Sequence, residues 1–285
     1  QLSTFEQESI GSLVNVVATA LDKSFLYKEL EETNFELAKA NAKLEDLNRQ
    51  KTEFVSIASH QLRTPLTAIK GYSSMLLEGS FGELSEKSKG AVDVIFQSSQ
   101  RLVNVIEDFL NITRIELGKM QYDMTVFDIC QLVKSLEAEL APYAVRKKLA
   151  LNISASGSAC HIYADYGKVG QVVSNVIDNA IKYTPTGSVD VKVTRPLSDP
   201  KNIHITVTDT GIGIKAESIP KLFQKFIRAD EVGATHITGT GLGLYVAKQI
   251  MDAHKGDIRI ESAGVGKGST FIITLPVYEG EIAKK

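Results

Sequence analysis

The sequence has no tryptophan, only two cysteines and only seven prolines among its 285 residues. Cys130 and Cys160 lack the spacing of a metal or redox motif, so we expect buried free thiols in a reducing cytoplasm. No apolar run approaches the roughly 18 residues of a membrane span. The net charge of −2 argues against a broad basic surface for nucleic acid or anionic lipid.

The length is sufficient for two domains with substantial cores. The chain begins with Gln1 rather than Met, and we interpret it as a soluble, cytoplasmic piece of a longer protein. Membrane attachment of the full-length protein stays open. Changes in pattern predict three parts, at residues 1–51, 52–122 and 123–285.

Residues 1–51 contain no proline and a single glycine, Gly11. Leucine recurs every seven residues, and asparagine follows four residues after each leucine, at Leu30, Leu37, Leu44, Asn34, Asn41 and Asn48. This heptad favours a parallel two-helix coiled coil, in which seam asparagines set the register at a cost in stability. The alternative is a single amphipathic helix.

The stretch from Phe54 to Tyr72 predicts a helix, because its apolar residues alternate at spacings of three and four. His60 falls opposite that seam, on the outer face, among polar neighbours. A second helix is predicted from about Ser85 to Leu117, with Gly118 as its cap. Two such helices form a hairpin that buries too little alone, so two copies should pair as a four-helix bundle.

From about Asp123 a helix-like segment leads into alternating strand and helix signals, with a helix predicted from about Tyr166 to Tyr183. Strand patterns follow at SVDVKVT, IHITVTD, DIRIES and STFIITL. The expected fold class is therefore α plus α/β, in which the last part is a mixed sheet with helices on one face.

The predicted Tyr166–Tyr183 helix carries Asn175 and Asn179, whose amides share one face because they are four residues apart. Amide oxygens are hard ligands suited to Mg²⁺. Lys182 lies near the end of the same helix and can meet a phosphate as a point charge.

Asp209 follows a strand directly and precedes Gly211 and Gly213. A carboxylate that only accepts hydrogen bonds suits the exocyclic amine of adenine. The glycines allow the backbone to approach a ligand closely.

A long segment from Lys215 to Thr240 is typical of an active-site lid. Its Arg228 can reach a γ-phosphate. Taken alone, however, this segment fits better as a short helix that packs Leu222, Phe223 and Phe226 into the core and leaves Arg228 solvated. The run Gly239-Thr240-Gly241-Leu242-Gly243 then opens a helix, where backbone amides and the helix dipole can cradle phosphates.

The run His60-Gln61-Leu62-Arg63-Thr64-Pro65-Leu66 resembles the phosphoacceptor box of two-component sensor histidine kinases, except that Gln61 replaces the usual acid. The later motifs resemble the N, G1, F and G2 boxes of GHKL ATPases with the Bergerat α/β sandwich. Residues 2–30 resemble the last helix of a GAF domain running into a signalling helix.

The resemblance implies a homodimeric kinase that uses Mg-ATP to phosphorylate His60 and passes the phosphoryl group to an aspartate of a response regulator. Gln61 and Thr64 would assist the chemistry, including any phosphatase activity. It implies that Asn175 and Asn179 hold the metal. The other implied nucleotide contacts are Lys182, Tyr183, Asp209, Gly211, Gly213, Arg228, Gly239, Thr240, Gly241, Leu242 and Gly243.

Two other functions remain open at this point. A nucleotide-binding scaffold or pseudokinase with weak activity would follow if the missing acid at Gln61 matters. A GHKL ATPase of the gyrase or chaperone kind is disfavoured by the hairpin that carries His60.

Overall fold

Two long helices form the first part of the chain. In the computed structural model, which describes residues 4–155, 160–227 and 241–280, α1 runs Thr4–Leu77 and α2 runs Glu86–Glu116. The chain divides into two compact units, residues 1–60 and 61–285. Among the described residues, no helix combines the length and apolarity needed to cross a membrane.

The first unit consists of α1 up to His60. The predicted heptad leucines, Leu30, Leu37 and Leu44, are all exposed in the single chain. Their helical backbone agrees with the heptad interpretation, and pairing with a second copy stays a prediction. The side chain of His60 lies outside the described residues.

The ends of α2 agree closely with the predicted helix from Ser85 to Leu117. The Ser85 side chain accepts a hydrogen bond from the Ser88 amide at 3.2 Å, which caps the first turn. At the other end Gly118 has φ 61°, and its amide donates to the Ile115 carbonyl at 3.0 Å. Glycine adopts this conformation without strain, so it terminates the helix.

The remainder of the chain is an α/β fold, as predicted. Its elements are β1 Met124–Asp128, α3 Ile129–Arg146, β2 Ala150–Ala155, β3 His161–Asp165, α4 Tyr166–Tyr183, β4 Ser188–Thr194, β5 Asn202–Asp209, a short 3₁₀ helix Ile219–Lys221, α5 Gly243–Ala253, β6 Asp257–Glu261 and β7 Ser269–Pro276. The sequence interpretation missed β1, whose five residues pair antiparallel with β3.

The main sheet has the strand order β2-β4-β5-β7-β6. β2 and β4 are parallel, and the other neighbours are antiparallel. Alternate residues of the strands are fully buried, such as Ile203, Ile205 and Val207 of β5. The buried faces of α3, α4 and α5 join these residues in one core, so the helices cover one face of a mixed sheet. Cys130 and Cys160 are both buried and are not joined in a disulfide, as expected.

Candidate nucleotide site

α4 presents the two predicted asparagines on its half-buried side. Its opposite face is fully buried and includes Val169, Val173, Val176 and Ile177. Asn175 and Asn179 are both partly exposed, so their side-chain amides are not fully buried in the core. The N-cap Asp165 accepts from the Lys168 amide at 2.9 Å and fixes the start of this helix.

The first residue of α5 lies against Asn175. A Cβ atom built on Gly243 would lie 2.8 Å from the Asn175 side-chain amide, so any other residue there would displace that amide. Glycine allows this close approach. The contact brings the predicted phosphate-binding glycines next to the predicted metal ligands.

The last residues of α4 meet the loop after β5. The Ile212 amide donates to the Tyr183 carbonyl at 3.1 Å. A Cβ atom on Gly211 would lie 2.3 Å from that same carbonyl oxygen. The α4 terminus, with Lys182 and Tyr183, is therefore joined to the loop that follows Asp209.

Asp209 is a buried carboxylate held by three hydrogen bonds. Its Oδ1 accepts from the Gly211 amide at 2.8 Å and from the Ser269 amide at 3.3 Å. Its Oδ2 accepts from the Ser269 hydroxyl at 2.5 Å. A carboxylate has about four lone-pair positions, so acceptor capacity remains for a ligand amine.

Gly213 also serves the close packing of two loops. Its φ is 67°, and a Cβ atom there would lie 2.1 Å from the Gly264 carbonyl oxygen. Any other residue would clash with the loop between β6 and β7.

The described parts of the predicted lid converge on the start of α5. The Phe226 amide donates to the Gly241 carbonyl at 3.1 Å. Leu222 is buried, whereas Phe226 is exposed, so the packed-helix alternative holds for only part of the segment. The predicted nucleotide contacts Arg228, Gly239 and Thr240 lie outside the described residues.

Lys225 of this segment also contacts the end of α2. Its ammonium pairs with the Glu116 carboxylate and lies 5.0 Å from the centre of the Tyr245 ring. The hydrogen bond to Glu116 raises the pKa of Lys225, because an adjacent carboxylate favours the charged amine.

Two lysine side chains interact with the end of α4, one through an ion pair and one through hydrogen bonds to backbone carbonyls. Lys182 pairs with Asp178 at 2.5 Å, so its ammonium already has a partner. Lys147 Nζ donates to the carbonyls of Ile181 at 2.9 Å and Lys182 at 2.8 Å, which satisfies the helix terminus. Burial lowers the pKa of Lys147.

The sequence interpretation missed two of these residues, Lys147 and Ser269. The run Gly266-Lys267-Gly268-Ser269 was a signal for Ser269, since paired glycines before a strand often mark a close backbone approach. No local signal identified Lys147, because its partners lie 34 and 35 residues away.

Two predicted catalytic residues, Gln61 and Thr64, follow the predicted acceptor His60 along α1. Gln61 is exposed, as is Thr64. The nearby Arg63 pairs with Glu107 of α2 at 3.8 Å. The structure thus presents both predicted catalytic neighbours of His60 at the surface of α1.

Two protein families match separate parts of the chain. Residues 50–118 match the family described as the His Kinase A (phospho-acceptor) domain. Residues 164–279 match the family described as histidine kinase-, DNA gyrase B- and HSP90-like ATPase. The matches cover the predicted phosphoacceptor and nucleotide motifs respectively.

Curated relatives align with nearly the whole chain. An uncharacterized sensor-like histidine kinase of Rhizobium meliloti is 34% identical over 95% of this chain and 50% of its own length. The circadian input-output histidine kinase CikA of Synechococcus elongatus is 33% identical over 95% of this chain and 37% of its own length. The chain therefore spans half or less of the length of these relatives.

Solved structures share the fold. Full-length ShkA in complex with AMPPNP has a TM-score of 0.64 and 23% identity, covering 81% of this chain and 47% of that protein. The histidine kinase AdeS of Acinetobacter baumannii has a TM-score of 0.51 and 26% identity, covering 77% of this chain and 98% of that protein.

Proposed function

We propose, from the premise that this chain belongs to the two-component sensor histidine kinases, that it binds ATP and transfers the γ-phosphoryl group to His60. The phosphoryl group then passes to an aspartate of a response regulator. Residues 1–51 act as a signalling coiled coil, 52–122 as the dimerising phosphoacceptor domain and 123–285 as the ATP-binding domain. Because ATP is the donor, we place this part of the protein in the cytoplasm.

The observation that carries this proposal is the convergence of three separated motifs on α4. Asn175 contacts Gly243 of α5, and the Tyr183 carbonyl contacts the loop after Asp209. These residues are far apart in sequence. A nucleotide that spans from Asp209 to the start of α5 gives them a shared role.

Asp209 binds the adenine amine in this proposal, and Gly211 and Gly213 allow the loop after Asp209 to pack closely beside it. At the other end of the nucleotide, the amides of Gly241, Leu242 and Gly243 bind phosphate at the positive end of α5. Gly239, Thr240, Lys182, Tyr183 and Arg228 complete the nucleotide contacts.

The side chains of Asn175 and Asn179 fit a magnesium ion. Both are partly exposed on one face of α4, and Asn175 lies beside the phosphate-binding glycines. Neutral oxygen ligands that leave places for phosphate and water are typical of Mg²⁺ sites. When bound, the ion neutralises charge on the phosphates.

His60 attacks the γ-phosphorus through a neutral imidazole nitrogen, and its other ring nitrogen needs a partner for its proton. The Gln61 amide oxygen can accept that hydrogen bond and fix the tautomer, but it cannot remove the proton as a carboxylate would. Thr64, one turn further along α1, orients water in a phosphatase reaction.

The hairpin supports assembly as a homodimer. In α2 the predicted seam separates into two rows, one buried and one exposed, namely Ser99, Ile106 and Thr113 against Ile95, Leu102 and Phe109. α1 repeats the arrangement, with Leu66 and Ser73 buried and Leu62 and Ile69 exposed. The exposed rows are the surfaces that a second hairpin covers in a four-helix bundle.

The test is incubation with ATP labelled at either the α or the γ position. Only the γ label should enter the protein, and it should be lost in acid and kept in base, as for a phosphoramidate. In the Asp209→Asn variant, an amide NH₂ group replaces one carboxylate oxygen, so a hydrogen-bond donor faces the adenine amine. This variant should incorporate much less of the γ label than the parent. Equal incorporation from both labels, or none from the γ position, contradicts the proposal.

A further inference from the structure

The loop between β6 and β7, residues 262–268, begins with Ser262, whose hydroxyl makes three hydrogen bonds to backbone groups. Ser262 Oγ donates to the Gly268 carbonyl at 2.6 Å. It accepts from the Ile214 amide at 3.0 Å and from the Gly264 amide at 3.3 Å. A hydroxyl has one proton and two lone pairs, so these three bonds use its full capacity.

We propose that Ser262 is a positioning residue for adenine recognition: it fixes the two loops that hold the Asp209 carboxylate, and thereby sets selectivity for a 6-amino purine. This inference rests on the proposed function, in which Asp209 accepts a hydrogen bond from adenine. Ser262 itself need not touch the nucleotide.

The two loops are joined along their length. Beside the Ser262–Ile214 bond, the Gly266 amide donates to the Ile212 carbonyl at 2.6 Å and the Gly268 amide to the Gly211 carbonyl at 3.1 Å. A Cβ atom on Gly268 would lie 2.0 Å from the Asp209 carbonyl oxygen. The Ser262 hydroxyl is the one side-chain group among these backbone contacts, and it bonds to both loops.

Few hydrogen bonds separate the Ser262 hydroxyl from the Asp209 carboxylate. Gly268, whose carbonyl accepts from Ser262, is followed by Ser269, which donates twice to Asp209. Gly211, whose carbonyl accepts from Gly268, donates to Asp209 from its own amide. Every described donor to the carboxylate therefore belongs to a residue held by, or next to, Gly268.

Removal of the Ser262 hydroxyl leaves the Ile214 and Gly264 amides without this acceptor and releases Gly268. The donors to Asp209 then shift, and the carboxylate loses its fixed orientation. A directional hydrogen bond to an amine depends on that orientation, whereas phosphate binding at α5 does not. The expected change is therefore in base selectivity rather than in phosphate binding.

The experiment compares affinity for ATP with affinity for purine riboside triphosphate, the same nucleotide without the 6-amino group. The parent chain should prefer ATP. Ser262→Ala should weaken ATP binding about tenfold, the size of one hydrogen bond, and leave the analogue within about twofold. Ser262→Thr, which keeps the hydroxyl, should recover most of the preference. Ser154→Ala, on the exposed side of β2, is the control and should bind both nucleotides with the affinities of the parent.

The affinities for the two nucleotides can contradict the inference in three ways. If Ser262→Ala keeps the parent's preference for ATP, or weakens both nucleotides equally, Ser262 is only structural and the inference is wrong. A parent that binds neither nucleotide overturns the proposed function and the inference with it. A parent that binds both equally leaves ATP binding intact and overturns the role of Asp209.

A second pair of measurements covers poor folding of the alanine variant. Ser262→Cys is a near-isosteric change that supplies a weaker hydrogen-bond donor. Its preference for ATP over the analogue should lie between that of the parent and that expected for Ser262→Ala. The double variant with Ser269→Ala should lose no more selectivity than Ser269→Ala alone, because both act through one carboxylate. Full additivity of the two losses would overturn the inference.

Discussion

The helical hairpin and the α/β sheet each carry a regular apolar period, of three and four residues in the helices and of two in the strands, but the two periods differ in how fully their apolar faces are buried. In β5 the alternate residues Ile203, Ile205 and Val207 are each 0% exposed. In α2 the seam residues Ile95, Leu102 and Phe109 remain 49%, 47% and 47% exposed. A sequence period identifies the face of an element, and the remainder of the chain determines whether that face is covered.

The physical reason is the number of layers available to each region. The sheet has three helices of its own chain to cover one face, so the core closes within one molecule. The hairpin has only two helices, and each can bury one stripe against the other. We therefore expect the sheet region to depend on its own packing and the hairpin to depend on a second copy.

The largest expected effect separates catalysis from folding within the sheet region. Asn179→Ala should lower the rate of γ-phosphoryl incorporation at least about a hundredfold, because it removes a ligand placed against the phosphates. Thermal unfolding should stay close to that of the parent. Asn152→Ala is the matched control, since Asn152 is exposed and its side-chain amide donates to Asp190 on the sheet surface at 2.9 Å. Undiminished labelling in Asn179→Ala would exclude the metal site.

Ile205→Ala is the next largest change and tests the closed core. Its side chain is fully buried, so we expect a loss of about 2–5 kcal/mol in the free energy of unfolding. Denaturant titration at two protein concentrations should give the same loss in the sheet region. A loss under 1 kcal/mol would mean that the sheet core is not packed as described.

Leu102→Glu tests the exposed row of the hairpin. A carboxylate in the centre of a four-helix bundle is costly without a partner, so the variant should be monomeric at concentrations where the parent is a dimer. Light scattering measures this directly, with Val94→Glu, an exposed residue outside the seam, as the control. A Leu102→Glu dimer of parental affinity would contradict the bundle.

The smallest expected effect is at Gln61, where the sequence departs from the family pattern. We expect Gln61→Glu to leave the rate of autophosphorylation within about threefold of the parent across pH 6 to 9, because in our proposal the Gln61 amide oxygen accepts the hydrogen bond that fixes the His60 tautomer. A general base is typically worth about 10²–10⁴-fold. An increase of that size, with a weaker dependence on pH, would show that the parent lacks a base and favour the weak-kinase alternative.

The sequence was sufficient to predict most of the fold. α4 and β4 begin and end where their patterns predicted, since each carries an unbroken period and a clear boundary. β1 was missed because MTVFD does not alternate cleanly in burial and runs directly into the N-cap of α3. A strand of five residues that pairs with β3, far along the chain, leaves little local signal.

The candidate site was predictable in the placement of Asn175, Asn179 and Asp209 within the fold, which depends on residue spacing, while their roles in binding stay predictions. It was not predictable where backbone atoms of distant loops meet. The Ser262–Ile214 bond spans 48 residues, and the Lys147 cap on α4 likewise joins separate elements. Such contacts depend on the sheet register, which the local sequence does not reveal.

In the function proposed above, the sheet region holds ATP and His60 receives its phosphoryl group. The most direct test is mass mapping of peptides from the ATP-treated protein, kept at neutral or alkaline pH. One phosphoryl group should be found on His60, and His60→Ala should gain none while it still binds ATP. A phosphoryl group on another residue, or equal labelling in His60→Ala, would contradict the account.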